Sequence, residues 1–224
     1  MTDELPITEP TSGLTDQTAI VLRKALKYTQ HLPLKNIFIA GLADEIVEWG
    51  VVSTICEEFE LPKARPSSVT DLLKMCGYQE VFVIPDDVYD FSSPFSSDIK
   101  FDHIISFNNA AGKMSNPLGF FKNIHNIGTS DAIIIHSAPW QNQKDDAYYA
   151  INPKFWTRLA QAQEYACSGF LLVSGQVIEK LEHPSLDGTK YELMTKYKTA
   201  DKQKPCTIYG MFSKTSDNEF VDNF

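Results

Sequence analysis

The segment from Phe101 to His136 constrains the fold more than any other part of this chain. Phe101-Asp-His-Ile-Ile-Ser-Phe107 is an apolar run of strand length, rich in β-branched and aromatic residues, and it stops at the polar pair Asn108-Asn109. Asn116-Pro117 then supplies a helix start, with Asn at the cap and Pro in the first helical position, and Leu118, Phe121, Ile124 and His125 recur at helical spacing. That helix should end near Gly128, and Asp131-Ala-Ile-Ile-Ile-His136 is a second apolar strand. A strand, a helix and a strand in this order form a βαβ unit, which is parallel and right-handed in nearly every known case. Strands apolar on both faces need helices on both sides of the sheet. The expected class is α/β, with a doubly wound, mostly parallel sheet. Ligands of such sheets sit outside the carboxyl ends of the strands, so Asn108, Asn109, His136, Trp140 and Asn142 should gather on one edge.

The flanking text extends the pattern. Thr15-Asp16-Gln17 is a cap signal for a helix whose apolar face holds Ile20, Leu22, Ala25, Leu26 and Tyr28. Asn36-Ile-Phe-Ile-Ala-Gly41 reads as the first strand, ending at Gly. From Ala43 to about Glu60, Ile46, Val47, Val51, Ile55 and Phe59 recur as the core face of a helix. Ser67-Ser68-Val69-Thr70-Asp71 should restart a helix that ends at a Gly77 cap, and a strand is expected from Glu80 to Pro85 that opens onto Asp86-Asp87. Pro153 should start an amphipathic helix running through Cys167, with strands at Gly169–Gly175 and Thr207–Phe212, and a polar hairpin or loop at Glu179–Pro205. Residues 1–13, acidic and Pro-containing, are expected to be a mobile tail, and residues 14–224 a single domain.

Charge and cysteine usage narrow the classes. Twenty Lys and Arg against twenty-nine Asp and Glu leave a net charge of −9, which argues against non-specific binding to nucleic acid or to an anionic membrane surface. Cys56, Cys76, Cys167 and Cys206 are scattered, without a CxxC pair or a His at ligand spacing, so no metal site is expected. No apolar run approaches the roughly 18 residues that span a bilayer, and the amino terminus is neither signal nor transit peptide. A soluble cytoplasmic protein is the expectation.

Five weak motifs follow one another in a telling order: Phe101-Asp-x-Ile-Ile, then Asn116-Pro-x-x-x-x-Lys-Asn-Ile-His125, then a strand ending in His136. Pro139-x-x-Asn142 and Tyr149-x-x-x-Pro153 complete the series. Together they resemble class I S-adenosylmethionine (SAM)-dependent methyltransferases, and more narrowly a poorly characterised bacterial and phage branch of that superfamily, over roughly residues 36–175. The resemblance implies a Rossmann-like sheet with a C-terminal antiparallel strand, SAM as cofactor, and a small polar acceptor, a saccharide for example. It places Gly41, Asp44, Asp86, Asp87 and Asn108 at the cofactor. The chain departs from the family pattern at three turns: Gly41-Leu-Ala-Asp has one glycine where several are usual, Asn108-Asn-Ala-Ala lacks an acidic residue and a His, and Gly128-Thr-Ser-Asp replaces Lys-Pro-Gly-Gly.

Each candidate has two readings. Asp44 either contacts the methionine ammonium group or, with Glu45, sits in the first turn of a helix, where the macrodipole favours negative charge. Asp86 and Asp87 either accept hydrogen bonds from a ribose diol or form a turn. His136 is either a base for the acceptor, since an ordinary imidazole titrates near pH 6.5, or a hydrogen-bonded structural group. Trp140, Asn142 and Tyr149 either line an acceptor pocket or, for Tyr149, pack on the Pro153 helix. Three functions remain open: an active SAM-dependent methyltransferase, a methyltransferase-like protein that has lost its cofactor and serves as an interaction or structural component with a protein partner, and another doubly wound enzyme such as one modifying nucleotide sugars.

Overall fold

The structure, a computed structural model, describes residues 13–33, 35–62, 64–85, 93–95, 97–108, 110–141, 151, 153–174, 177–181 and 206–222. Its centre is a seven-stranded sheet. In chain order the strands are β1 (Asn36–Ala40), β2 (Glu80–Ile84), β3 (Phe101–Ser106), β4 (Gly128–Gln141), β5 (Ala166–Ser174), β6 (Val177–Leu181) and β7 (Cys206–Ser213). The spatial order is β2-β1-β3-β4-β7-β5-β6. β1 lies parallel to β2 and β3, and β3 to β4. β7 inserts antiparallel between β4 and β5, and β6 turns back antiparallel along β5. The fold is Rossmann-like, with the C-terminal antiparallel strand that was expected.

Alternation along the parallel strands creates two cores. Phe38, Ile104 and Ile134 face one side, with Phe120, Phe121 and Trp156 from α5 (Pro117–Ile127) and α6 (Pro153–Ala162). Ile37, Ile39, Ile105 and Ile135 face the other, against α1 (Asp16–Thr29), α2 (Gly50–Glu58) and α3 (Val69–Met75). A short α4 (Ala110–Lys113) follows β3. The layers follow from period-two strands buried on both faces.

Local signals hold where they were strongest. Thr15 caps α1 with a reciprocal capping box through Thr18, and the Ser68 hydroxyl caps α3 by accepting from Asp71 N–H. Asn116 accepts from Gly119 N–H, with Pro117 in the first turn of α5.

Three expectations are corrected. The helix expected from Ala43 begins only at Gly50, so Asp44 and Glu45 do not stand in a first helical turn, and residues 41–49 form an irregular passage. The loop expected after His136 is strand: Ser137 to Gln141 pair with β7, Pro139 opposite Thr207, with the register shifting between Pro139 and Gln141. A proline without an amide hydrogen sits at such an irregularity because it cannot complete the ladder. The helix expected to reach Cys167 ends at Ala162; Glu164 takes a left-handed φ of 55°, and Cys167 belongs to β5.

Candidate functional site

From β1 the chain crosses to β2 on one side, whereas β3 and β4 lie on the other. The crevice between the carboxyl ends of β1 and β3 is therefore the topological switch point, where ligands of open α/β sheets bind. Gly41 and Asn108 meet there. Gly41 has φ 76° and donates its N–H to Ile84 O at 2.8 Å. A Cβ at this position would stand 2.4 Å from Phe107 O, so the neighbouring strand end by itself requires glycine. Asn108, with φ 50°, donates from Nδ2 to Gly41 O at 2.7 Å, and Phe107 N–H donates to Ala40 O at 2.8 Å. Asn is among the few residues that take this backbone conformation readily.

One strand further on, His136 Nδ1 lies 3.1 Å from Ser106 Oγ, which also accepts Ser137 N–H at 3.2 Å. The imidazole is 2% exposed. It stacks on Trp156, with centroids 5.6 Å apart, and meets Phe121 edge-on at 4.9 Å. Burial among rings disfavours the charged form and pushes the His136 pKa down to about 3. A ring in this state holds hydrogen bonds as a neutral group and has little basicity at neutral pH. Trp156 Nε1, also fully buried, has no hydrogen-bond partner among the described residues.

The other candidates scatter. Asp44 does not face the crevice as a free carboxylate: its Oδ1 accepts Thr70 N–H at 2.6 Å, in the first turn of α3. Trp140 falls at the irregularity of β4. Asp86, Asp87, Asn142 and Tyr149 lie outside the described residues; in sequence, Asp86 and Asp87 follow close on Ile84, the residue that receives the Gly41 amide. The structure thus brings Gly41, Asn108 and the end of β2 together, and puts His136 beside them in the interior. Ser106 was missed. A small hydroxyl as the last residue of an apolar strand was the only signal for it.

A cleft of about 110 Å³ lies elsewhere, between the end of α1 and Tyr78, lined by Leu26, Thr29, Leu32, Phe59, Cys76 and Tyr78. Its polar rim is engaged within the protein, the Tyr78 hydroxyl lying 2.6 Å from His103 Nδ1. Among the described residues no group of three His, Cys, Asp or Glu side chains could hold a metal ion, and no helix is long and apolar enough to cross a membrane.

The strand order, with one antiparallel strand set between β4 and β5, invites comparison with solved structures. Methyltransferases are among the solved structures that this chain matches, all at low identity. N-methyltransferase NodS from Bradyrhizobium japonicum, in complex with S-adenosyl-L-homocysteine (SAH), matches 90% of this chain and 90% of its own at 12% identity and a TM-score of 0.46. The 1,6-didemethyltoxoflavin-N1-methyltransferase of Burkholderia thailandensis, with SAH and its own substrate, matches 90% of this chain and 80% of its own at 13% identity and a TM-score of 0.47. The YcgJ protein of Bacillus subtilis matches 88% and 97% at 10% identity and a TM-score of 0.46. No protein-family model and no curated protein sequence matches the chain.

Proposed function

We propose that this protein is a SAM-dependent methyltransferase acting on a small polar acceptor, a saccharide for example. The observation that supports the reading is the switch point itself: Asn108 Nδ2 joins Gly41 O across the carboxyl ends of β1 and β3, the edge where open α/β sheets take their ligands. Bound there, SAM would supply an electrophilic methyl group for direct displacement, and the protein's part would be alignment and exclusion of water.

In this reading Asp86 and Asp87, which follow β2 in the sequence, receive the ribose hydroxyls, since a carboxylate accepts two hydrogen bonds. Gly41 and Asn108 border the ligand at the ends of β1 and β3, with the Gly41 amide and carbonyl engaged by Ile84 and Asn108. The acceptor is assigned in this reading to Trp140, Asn142 and Tyr149, on their sequence positions after β4's His136. His136 acts as a positioning residue, tying the end of β4 to Ser106 and Trp156, because a buried neutral ring with depressed basicity is a poor proton acceptor. Glycine at 41 fits close approach of a ligand, although Phe107 already accounts for it.

Calorimetric titration with SAM and SAH tests the reading. Binding in the micromolar range, about −8 kcal/mol, is expected, together with loss of tenfold or more in affinity when Asp86 and Asp87 are both changed to Ala. Absence of heat and of any thermal shift with either ligand would overturn it. The second reading, a methyltransferase-like protein without cofactor, draws support from Asp44, whose carboxylate is engaged at α3, and from the irregular passage 41–49 where a helix would follow the first turn. Silence towards SAM and SAH, with a stable protein complex recovered, would favour that reading.

A further inference from the structure

Residues 43–49 carry the sequence of a helix and the structure of something else. Ile46 and Val47 continue, at helical spacing, the apolar face that Val51, Ile55 and Phe59 present, and Asp44 and Glu45 put negative charge where a helix would begin. In the structure the helix starts only at Gly50. What holds the preceding residues out of the helix comes from far along the chain. Leu14, fully buried, forms a parallel bridge with Ile46. Its N–H donates to Glu45 O at 2.7 Å, and its carbonyl accepts Val47 N–H at 3.0 Å and Glu48 N–H at 3.3 Å. Asp16 N–H donates to Glu48 Oε2 at 2.6 Å, while Asp16 Oδ1 accepts Val51 N–H at 2.8 Å and so closes the end of α2. Gly50 fits against that carboxylate because a Cβ there would stand 2.6 Å from it. On the other side Asp44 holds Thr70 N–H, and the Arg65 guanidinium lies 3.5 Å from the centre of the Trp49 ring.

A segment whose local preference and tertiary setting disagree is a place where two packings of one sequence come close in energy. We propose that 43–49 is a two-state element. Clasped by Leu14 and Asp16, it stays irregular, with one bridge at Ile46; released from them, it winds into α2, whose start then moves back towards Gly41 and reshapes the wall of the crevice. The link to ligand entry rests on the function proposed above. The two-state behaviour does not.

The test uses the full chain and reads the Cα chemical shifts of residues 43–49 by NMR in the wild type, in Asp16→Ala and in Asp16→Ala/Ile46→Pro. Proline at 46 stops a helix yet removes no amide that the clasped form uses towards Leu14. Non-helical shifts are expected in the wild type, movement of most of the segment towards helical values in Asp16→Ala, and a return to the wild-type pattern in the double variant. A folded Asp16→Ala protein in which 43–49 keeps the wild-type shifts, or merely frays to coil values, overturns the proposal. Hydrogen exchange on the wild type is a second readout, independent of any variant. The amides of Leu14, Val47 and Glu48 should open together, at least tenfold more often than the central strands; exchange of all three only with global unfolding overturns the clasp. SAH is then added to the wild type. A helical shift of 43–49 supports the link to the crevice, and tight binding without any change there removes it. If SAH does not bind, the proposed function fails while the shifts still decide the switch.

Discussion

The two edges of the sheet are finished in opposite ways. At the amino edge of the parallel strands, polar groups are tied off in a dense mesh of side chains. Lys214, its side chain fully buried, reaches His125 O at 3.0 Å, Gly128 O at 3.4 Å and Asp217 Oδ1 at 3.3 Å, and thereby caps α5. His125 bonds Tyr165 Oη and Asn218 O, both at 2.7 Å. Gln163 exchanges two hydrogen bonds with the backbone of Val221, and Asp102 accepts the amides of Lys35 and Asn36. At the carboxyl edge the ties gather strand ends and the passage after β1 instead: Asn108 Nδ2 reaches Gly41 O, Leu14 clasps residues 45–48 through main chain, and Asp16 and Asp44 receive the amides of Val51 and Thr70. One edge is built to stay closed, and the other joins two strand ends at the switch point. Stability is expected to reside in the first and ligand response in the second.

Acid should act on both edges and produce the largest effect. His103 and His136 are buried without charge and their pKa values are pushed down to about 3. Unfolding returns them to near 6.5, so between these values the unfolded chain binds more protons than the native one. Their contribution is complete above about pH 6.5 and declines as the pH falls below it, by roughly 1.4 kcal/mol per pH unit for each ring. Urea unfolding at pH 7.5, 6 and 5 measures this, and an unchanged stability down to pH 5 would show that the rings are not held neutral.

Lys214→Met should cost about 3 kcal/mol, because it leaves the carbonyls of His125 and Gly128 uncapped in the interior, with SAH affinity unchanged within twofold. A loss of SAH binding in a folded Lys214→Met protein would break the division of labour between the edges.

Gly41→Ala should cost about 2–3 kcal/mol, from a left-handed backbone and the clash with Phe107 O. Gly77, at the end of α3, has φ 102° and open space around it, so Gly77→Ala should cost only about 1 kcal/mol from backbone strain. Equal losses would mean that the Phe107 contact is relieved by movement of the strand ends.

Smallest is Asn108→Ala, about 1 kcal/mol in stability through loss of the bond to Gly41 O. It sharpens the comparison if SAH affinity falls tenfold or more at that modest cost, and blunts it if affinity is untouched. Thermal unfolding and calorimetry on the same preparations separate the two quantities.

Much of the architecture was legible because its signals are local. Strand runs 36–40, 80–84 and 101–106 lie where apolar β-branched residues cluster, and the caps at Thr15, Ser68 and Asn116-Pro117 start their helices as read. Within the site, Gly41 and Asn108 could be named from sequence as strand-end residues. Their hydrogen bond could not, because it joins positions far apart in the chain.

The sequence by itself determined the α/β class, the βαβ unit and the helix starts, because period-two and helical spacing, capping oxygens and prolines act over a few residues. Tertiary structure alone decided that β4 runs on through Pro139, since β7 returns to pair with it, and that α6 stops at Ala162. It also decided that 43–49 stays out of the helix against its own periodicity. The physical reason is the same in each place: hydrogen bonds and burial supplied by distant segments outweigh a local preference of a few tenths of a kcal/mol per residue, on the order of the helix propensities themselves. No window along the chain contains those partners.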